Sequence, residues 1–593
     1  MKRYITTLIT LCAVSFVASA QTAKQVVVTK DFASEISTDK KKMDFAPSMV
    51  DTVKMRPDID YSITPRSFAS ALGTHRFNPA TVTYWEYQRK YPFYLKVGAG
   101  YPLNTVGDLY ASTHRADVGY LTAYANHYGQ YSKLKYMKYT NGFDVVPYKD
   151  NRSMQMNNKF GVMGGKYFGR YTLAGDLYYR MDTYHRYPLH NEYAEDETPI
   201  LEYKRRKIDF EDVNLSLSFG DSFADYSHLN FKVYALANFY NDKSERFIEN
   251  EHYQQMNVKA GATVAREITK RSALSLNLDY EGYYGLKSLK EYNNSIVGLD
   301  LRYRYRSGGL IDLTAGAKVL YDNNPADEVK KNRWHAFPYL SLSLNINDKG
   351  AFVPYVEVNG ELQNNSYHSL VRRNPYVAIL GGVDGSLSAN TVLPNTELYN
   401  VRFGVSGHSA NSKFAYRFYA NMSFMKNAIY WYNINQIFFG VESASRNIFS
   451  LCGAVDYKPI SQLLLTAQVK GSLYNGSASV EDAMPNVEAL VRVRYTHKKF
   501  TAGLSAELFG PTKWTSIQDY TLFLPEATLP THSDVFRAPT SLDLSVYGDY
   551  HVNKTCTVYA EVNNILGDVL PTYHWAFYRE MGASFTVGVK VQF

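Results

Sequence analysis

Cysteine is nearly missing from this chain, with three in 593 residues. Cys12 falls in a segment expected to be removed, which leaves Cys452 and Cys556. They lie on segments not expected to be neighbours. An oxidising compartment permits a disulfide between them, and nothing in their spacing requires one. Cysteine-pair motifs for zinc or redox chemistry are absent. Long apolar runs are also scarce. Past residue 20 no run of 18 apolar residues occurs, which excludes a helical membrane protein. Phosphate-binding glycine motifs and zinc-binding helices are missing too. Charge of one sign does not dominate: the formal net charge is +8, and removing Lys2 and Arg3 leaves about +6, spread along the chain. That is too diffuse for a nucleic-acid partner.

Aromatic residues are abundant and unevenly chosen. There are 52 Tyr and 31 Phe against 5 Trp. Tyrosine suits strands and membrane interfaces because its ring is apolar while its hydroxyl stays wet.

The N-terminus has the layout of a secretory signal peptide. Lys2 and Arg3 form the basic region, Ile5 to Val17 the apolar region, and Ala18-Ser19-Ala20 the cleavage site. The mature chain is expected to begin at Gln21. Residues 21–92 are rich in Lys, Asp, Ser, Thr and Pro, with little periodicity. They read as an extended periplasmic or lumenal segment, with Lys40-Lys41-Lys42 as a solvated run.

Residues 93–593 alternate between apolar and polar in runs of about ten, each followed by a turn or loop. In the final run Phe585, Val587, Val589, Val591 and Phe593 fall on one face, and Ser584, Thr586, Gly588, Lys590 and Gln592 on the other. Connections alternate in length. Short turns are expected at His114-Arg115, Phe168-Gly169, Thr269-Lys270, Ser307-Gly308-Gly309, Asp348-Lys349-Gly350, Ala410-Asn411, Pro459-Ile460, His497-Lys498 and Asn553-Lys554. Long loops are expected around 131–157, 182–209, 362–396, 426–446 and 510–540. Charged residues concentrate on one face and are nearly absent from the other. This pattern predicts an all-β fold, a transmembrane antiparallel β-barrel of about 22 strands in a cell outer membrane. Outer-membrane lipid and lipopolysaccharide are its expected surroundings. Trp334, Trp431, Trp514 and Trp575 fall in or beside the long loops. They are expected to form an interface girdle, with sugar stacking as the alternative.

The C-terminal stretch resembles the end of a TonB-dependent receptor barrel of the Bacteroidota type. The resemblance rests on the alternating run from Leu542 to Val546, on Asn563-Asn564-Ile565-Leu566-Gly567-Asp568, and on the closing strand ending in Phe593. Where that family commonly has Pro-Gly-Arg, this chain has Arg579-Glu580-Met581-Gly582. The family's plug domain needs well over a hundred residues, more than 21–92 provide, so the chain resembles a receptor barrel without its plug. Val26-Val27-Val28-Thr29 is similar to a Ton box, the segment that adds as a strand to TonB; its other reading is a short β segment in a tail. The resemblance implies transport or binding of a nutrient, with a surface lipoprotein as a partner. The competing reading is a structural barrel, one subunit of a larger outer-membrane complex.

Candidate lumen-lining residues are Arg302, Arg304, Glu357, Glu361, Glu488, Arg492 and Arg494. They would line a path, neutralise one another, or hold residues 21–92. No cofactor, metal or catalytic site is expected. Gly220-Asp221-Ser222 resembles the nucleophile block of GDSL esterases, but the Asp-x-x-His of Asp182 to His185 lies upstream. Gly-Asp-Ser is also ordinary turn chemistry. Glu192, Glu195, Asp196 and Glu197 read as a solvated acidic loop whose spacing fits no calcium motif.

Overall fold

The structure is a computed structural model that describes residues 92–593 apart from 116, 134–151, 187–206, 224–225, 245–251, 291, 308, 325, 327–332, 347–349, 378–392, 410, 412, 435–437, 483 and 519–531. Residues 1–91, which include the expected leader and the Ton-box-like Val26 to Thr29, and the acidic residues Glu192 to Glu197 lie outside the described residues.

The first strands are β1 (Phe93–Tyr101), β2 (Asn104–Arg115), β3 (Gly119–Lys133), β4 (Arg152–Phe168), β5 (Tyr171–His185) and β6 (Lys207–Asp221). Next come β7 (Asn230–Asp242), β8 (Tyr253–Thr269), β9 (Ser272–Lys287), β10 (Asn293–Ser307), β11 (Ile311–Asp322), β12 (Trp334–Leu344) and β13 (Val353–Gln363). A helix, α1 (Tyr367–Arg373), leads to β14 (Thr396–His408), β15 (Phe414–Ile434), β16 (Phe438–Ile460), β17 (Leu463–Gly476), β18 (Val487–Thr496) and β19 (Phe500–Phe509). The chain ends with β20 (Thr512–Gln518), β21 (His532–Ala538), β22 (Ser541–His551), β23 (Cys556–Asn563), β24 (Tyr573–Trp575), β25 (Tyr578–Arg579) and β26 (Ser584–Gln592).

These strands close into a 22-stranded antiparallel barrel. β1 to β19 follow in order, then β22, β23 and β26, which returns to β1. Closure pairs Tyr94 with Gln592 and Tyr101 with Phe585. At the seam Phe93 and Phe593 exchange both backbone hydrogen bonds, at 3.0 and 3.1 Å. Closure leaves no edge strand and satisfies the ladders without water, except where β12 and β13 part. The expected short turns lie at or next to strand ends that share one end of the barrel, and the longer connections start from the other end. By the usual architecture the turn end is periplasmic and the loop end external.

The outward face is an apolar belt. Leu274, Leu276, Leu278, Val297, Leu299, Leu301, Phe585 and Val587 are all exposed. A continuous apolar surface running round the whole wall is far beyond what a water-facing protein tolerates, so the belt requires hydrocarbon. Among the described residues no helix is long and apolar enough to cross a membrane.

The tyrosine excess has a structural cause. Many lumenal tyrosines lie flat over a glycine on the next strand. A Cβ at Gly161 would meet the Tyr124 ring at 2.5 Å, and one at Gly261 the Tyr234 ring at 2.6 Å. The ring covers backbone that glycine leaves bare. Its hydroxyl then reaches a carboxylate: Tyr124 donates to Asp176 at 2.9 Å and Tyr234 to Asp279 at 2.7 Å.

Wall height is uneven. β1 and β26 have 9 residues each, whereas β15 has 21 and β16 has 23. Hydrocarbon needs only about 9–11 residues per strand. The expected loop at 426–446 is therefore a continuing hairpin. A bulge between Met425 and Ala428, with Asn427 at φ 54°, redirects it above the belt. The aromatic run Tyr430-Trp431-Tyr432 favours strand, and the hairpin buries both of its faces, which a solvated loop would not do.

One seam differs from the rest. β12 and β13 have 11 residues each, yet only four pairs join them, Leu340↔Val358 to Ser343↔Tyr355. The same register would set Leu344 against Pro354 and Pro338 against Gly360. Proline has no N–H to give. Above the ladder, side chains span the gap. Glu397 on β14 reaches His335 on β12 at 3.3 Å, and the Tyr399 hydroxyl donates to the Ala336 carbonyl at 3.5 Å. Freed from β12, the upper end of β13 leads into the segment that carries α1 into the lumen.

Candidate functional site

The loop end of the lumen is filled by the barrel's own connections. α1 is capped by Ser366, whose side chain accepts from the Ser369 N–H at 3.4 Å. Tyr367, Leu370 and Val371 form its apolar stripe and are buried. The opposite side carries His368 and Arg372. Arg372 forms ion pairs with Asp182 on β5 and Asp212 on β6. Both carboxylates are buried.

The acids have further partners. Arg180 lies 2.8 Å from Asp182, Asn157 donates to Asp182 at 2.7 Å, and Asn238 donates to Asp212 at 3.3 Å. Tyr367 donates to Asp242 on β7. His368 stands between Asn257 at 3.0 Å, Asp212 at 3.2 Å and the Arg372 Nε at 3.3 Å. Burial and the nearby Arg180 push its pKa down to about 4, despite the opposing pull of Asp182. It is therefore neutral near neutral pH. Burial also lowers the pKa values of Arg372 and Arg373.

The stem of the segment is fixed independently. Tyr292 donates to the Asn365 carbonyl at 2.5 Å, Asn365 to Thr396 at 2.9 Å, and Asn395 to Asp322 at 2.7 Å.

An apolar core joins this segment to the other loops. Tyr376 stacks on Tyr578 at 3.7 Å, and Phe439 and Trp431 meet Trp575 at 5.4 and 5.5 Å. Phe536 packs on Phe577 at 4.5 Å. β20 joins β15 in parallel, Asn433↔Ser516, and Val377 bridges to Phe439. On β16, Arg446 pairs with Asp482 at 2.9 Å while its guanidinium lies 3.7 Å from the Tyr430 ring centre. Together α1, the upper β15–β16 hairpin, β20–β21 and β24–β25 form one cap with a common core.

Three of the four tryptophans belong to this cap, which corrects the expected girdle. Trp431 and Trp514 are buried, and Trp575 packs against them. Their segments fold over the mouth, so their indoles find protein in place of lipid or sugar. Trp334 alone is exposed, at 64 %, beside Tyr321.

The candidate lumen residues are spread around the wall, with Glu361 at the upper end of β13 close enough to act on Arg373. Arg302 pairs with Asp300 at 2.6 Å and covers Tyr339, and Arg304 is 3.9 Å from Asp312. Glu357 pairs with Arg402 at 3.1 Å, and Glu361 accepts from Gln363 at 2.8 Å. Glu488 pairs with Lys470 at 2.7 Å, Arg492 is 3.4 Å from Glu507, and Arg494 donates to Tyr547 at 3.3 Å. They do not converge on one site; the structure gives each a local partner. Sequence reading missed Arg372, His368 and the acids they meet. The available signal was Tyr367, Leu370 and Val371 at helical spacing after a serine cap, ending in two arginines.

Cys452 and Cys556 are free thiols on strands that do not pair. Ser222 follows β6 at the turn end, whereas His185 pairs with Lys207 at the other end of that strand. About 14 residues of strand separate them, roughly 45 Å. Asp182 is engaged by Arg372. Among the described residues no group of three or more His, Cys, Asp or Glu side chains is placed to hold a metal ion.

The sequence matches no protein-family model, and no curated protein matches it. Solved structures do resemble it. A mutant of the ferric enterobactin receptor PfeA from Pseudomonas aeruginosa has a TM-score of 0.61 at 11% identity, covering 84% of this chain and 80% of that one. The FrpB iron transporter from Neisseria meningitidis has a TM-score of 0.60 at 11% identity, covering 85% and 81%. The copper transporter OprC has a TM-score of 0.57 at 13% identity, covering 84% and 80%. In fold, this chain is a 22-stranded outer-membrane β-barrel similar to the barrels of these receptors and transporters, with no plug domain among its described residues.

Proposed function

We propose that the protein is an outer-membrane transport barrel for a nutrient, closed at its external mouth by its own loops. The observation that carries this reading is the Arg372 contact with Asp182 and Asp212. It holds a loop-borne helix inside a lumen whose walls remain polar and charged below it. A lumen lined with paired charges and flat tyrosines stays wetted, as a solute path requires. The neighbours in fold are described as a ferric enterobactin receptor, an iron transporter and a copper transporter, which supports the class without naming a substrate. In this reading residues 21–92 serve the turn end, and Val26 to Thr29 offer a strand to TonB. A surface lipoprotein or lipopolysaccharide meets the external rim.

Planar-bilayer conductance tests the proposal. A barrel lacking residues 21–92 and carrying Arg372→Ala should conduct. If it stays closed while folded, transport through the lumen is wrong. One observation favours a structural reading: the cap buries a continuous aromatic core, which suits a permanently shut scaffold. Recovery from native membranes without stoichiometric partners would remove that alternative.

A further inference from the structure

The outward wall is not smooth. Beside the lower end of the proline-bounded seam it carries a groove of about 760 Å³, lined by Leu342, Leu344, Val356, Phe403, Phe418 and Leu451 among others. Register explains the depression. Ala420 sits directly between Phe403 and Leu451, and Gly453 stands opposite Phe418. Small residues thus occupy two positions where neighbouring strands carry large ones. Ala420 is only 7% exposed although it is on the outward face. At the groove's edge Pro354 faces Leu344 with no ladder bond between them.

We propose that this groove is a binding site for an acyl chain of a phospholipid in the periplasmic leaflet. The groove opens directly onto the apolar belt at Leu451 and Val469, so hydrocarbon is already its medium. A chain lying in it touches protein on several sides, whereas a chain against flat wall touches on one, and dispersion contacts add accordingly. The site's height selects the source. Leu344 ends β12, Pro354 is the second residue of β13, and Phe418 is the fifth of β15. All lie near the short turns, on the side of the phospholipid leaflet and away from lipopolysaccharide. The proposal does not depend on transport through the lumen.

Native mass spectrometry of the full chain, released from mild detergent, tests it. The expected result is one retained phospholipid. Ala420→Phe fills the groove and should abolish the adduct, while Ala235→Phe, on the belt at β7, should keep it. Heat-modifiable gel migration establishes that each variant is folded, and Ala420→Leu replaces Ala420→Phe if the larger side chain prevents folding. No adduct on the wild type, an adduct of lipopolysaccharide mass, a dimer of the chain in its place, or equal retention by the groove-filled variant would each overturn the proposal.

Discussion

Glu397 on β14 reaches past β13 to meet His335 on β12, 3.3 Å away. In a regular barrel such a contact would be blocked by the intervening strand's ladder. Here the β12–β13 ladder has ended, and side chains hold the upper seam. Glu397→Gln should loosen it, at a cost of about 1–3 kcal/mol for the broken buried contact. Hydrogen exchange at 359–363 checks this. Exchange should quicken there and not in β15–β16; unchanged protection would show that the contact does not hold the seam.

Arg372 is the main counter-charge for two buried acids. Removing one partner of a buried ion pair typically costs about 3–5 kcal/mol, because the other is left charged and unpaired. Arg372→Ala should therefore release α1, with rapid proteolysis between residues 374 and 396 while the barrel wall stays intact. Arg372→Lys should not restore full protection, since an ammonium cannot span both carboxylates as a guanidinium does.

His368 gives the cap a pH dependence. Its docked pKa is about 4, below the undocked value near 6.5. Protonation therefore favours release. Its contribution is complete above about pH 6.5 and falls away as pH drops toward 4, by on the order of 2–3 kcal/mol. Asp212 and Asp182 face the same ring, with Arg180 and Lys259 nearby. His368→Gln should flatten the change in proteolysis between pH 6.5 and 5. An identical profile in the variant would exclude the histidine as its source.

Gly161 lies beneath Tyr124. Gly161→Val must push the ring off its seat and break its hydrogen bond to Asp176. Overpacking of this kind costs about 1–3 kcal/mol. The urea midpoint of the folded barrel should fall. Gly471→Val, where a Cβ would meet nothing within 4 Å, should have far less effect.

The wall was legible because its causes are local. Period-two patterning, as in Phe585 to Phe593, fixes which face meets lipid, and Gly-rich pairs such as Ser307-Gly308-Gly309 mark the turns. The cap was not legible, because its contacts join residues far apart in the chain. Nothing near Arg372 announces Asp182, 190 residues earlier. Trp431 looks like a girdle residue until the bulge at Asn427 carries its strand over the mouth. Alternation puts the charged residues on one face of each strand, but their partners depend on register, which alternation alone does not set. The seam was half visible: Pro338 and Pro354 stand in the sequence, and only the register brings them to one seam.

Cys452 provides the most direct test of the cap. It pairs in register with Tyr419 and Lys470 on the lumenal face of β16, below the cap. In cells carrying Cys556→Ser, a membrane-impermeant maleimide added outside should leave Cys452 unlabelled in the otherwise unaltered protein and label it once Arg372 is replaced by Ala. Equal labelling of both, with the barrel folded, would show that the mouth is not closed by these loops.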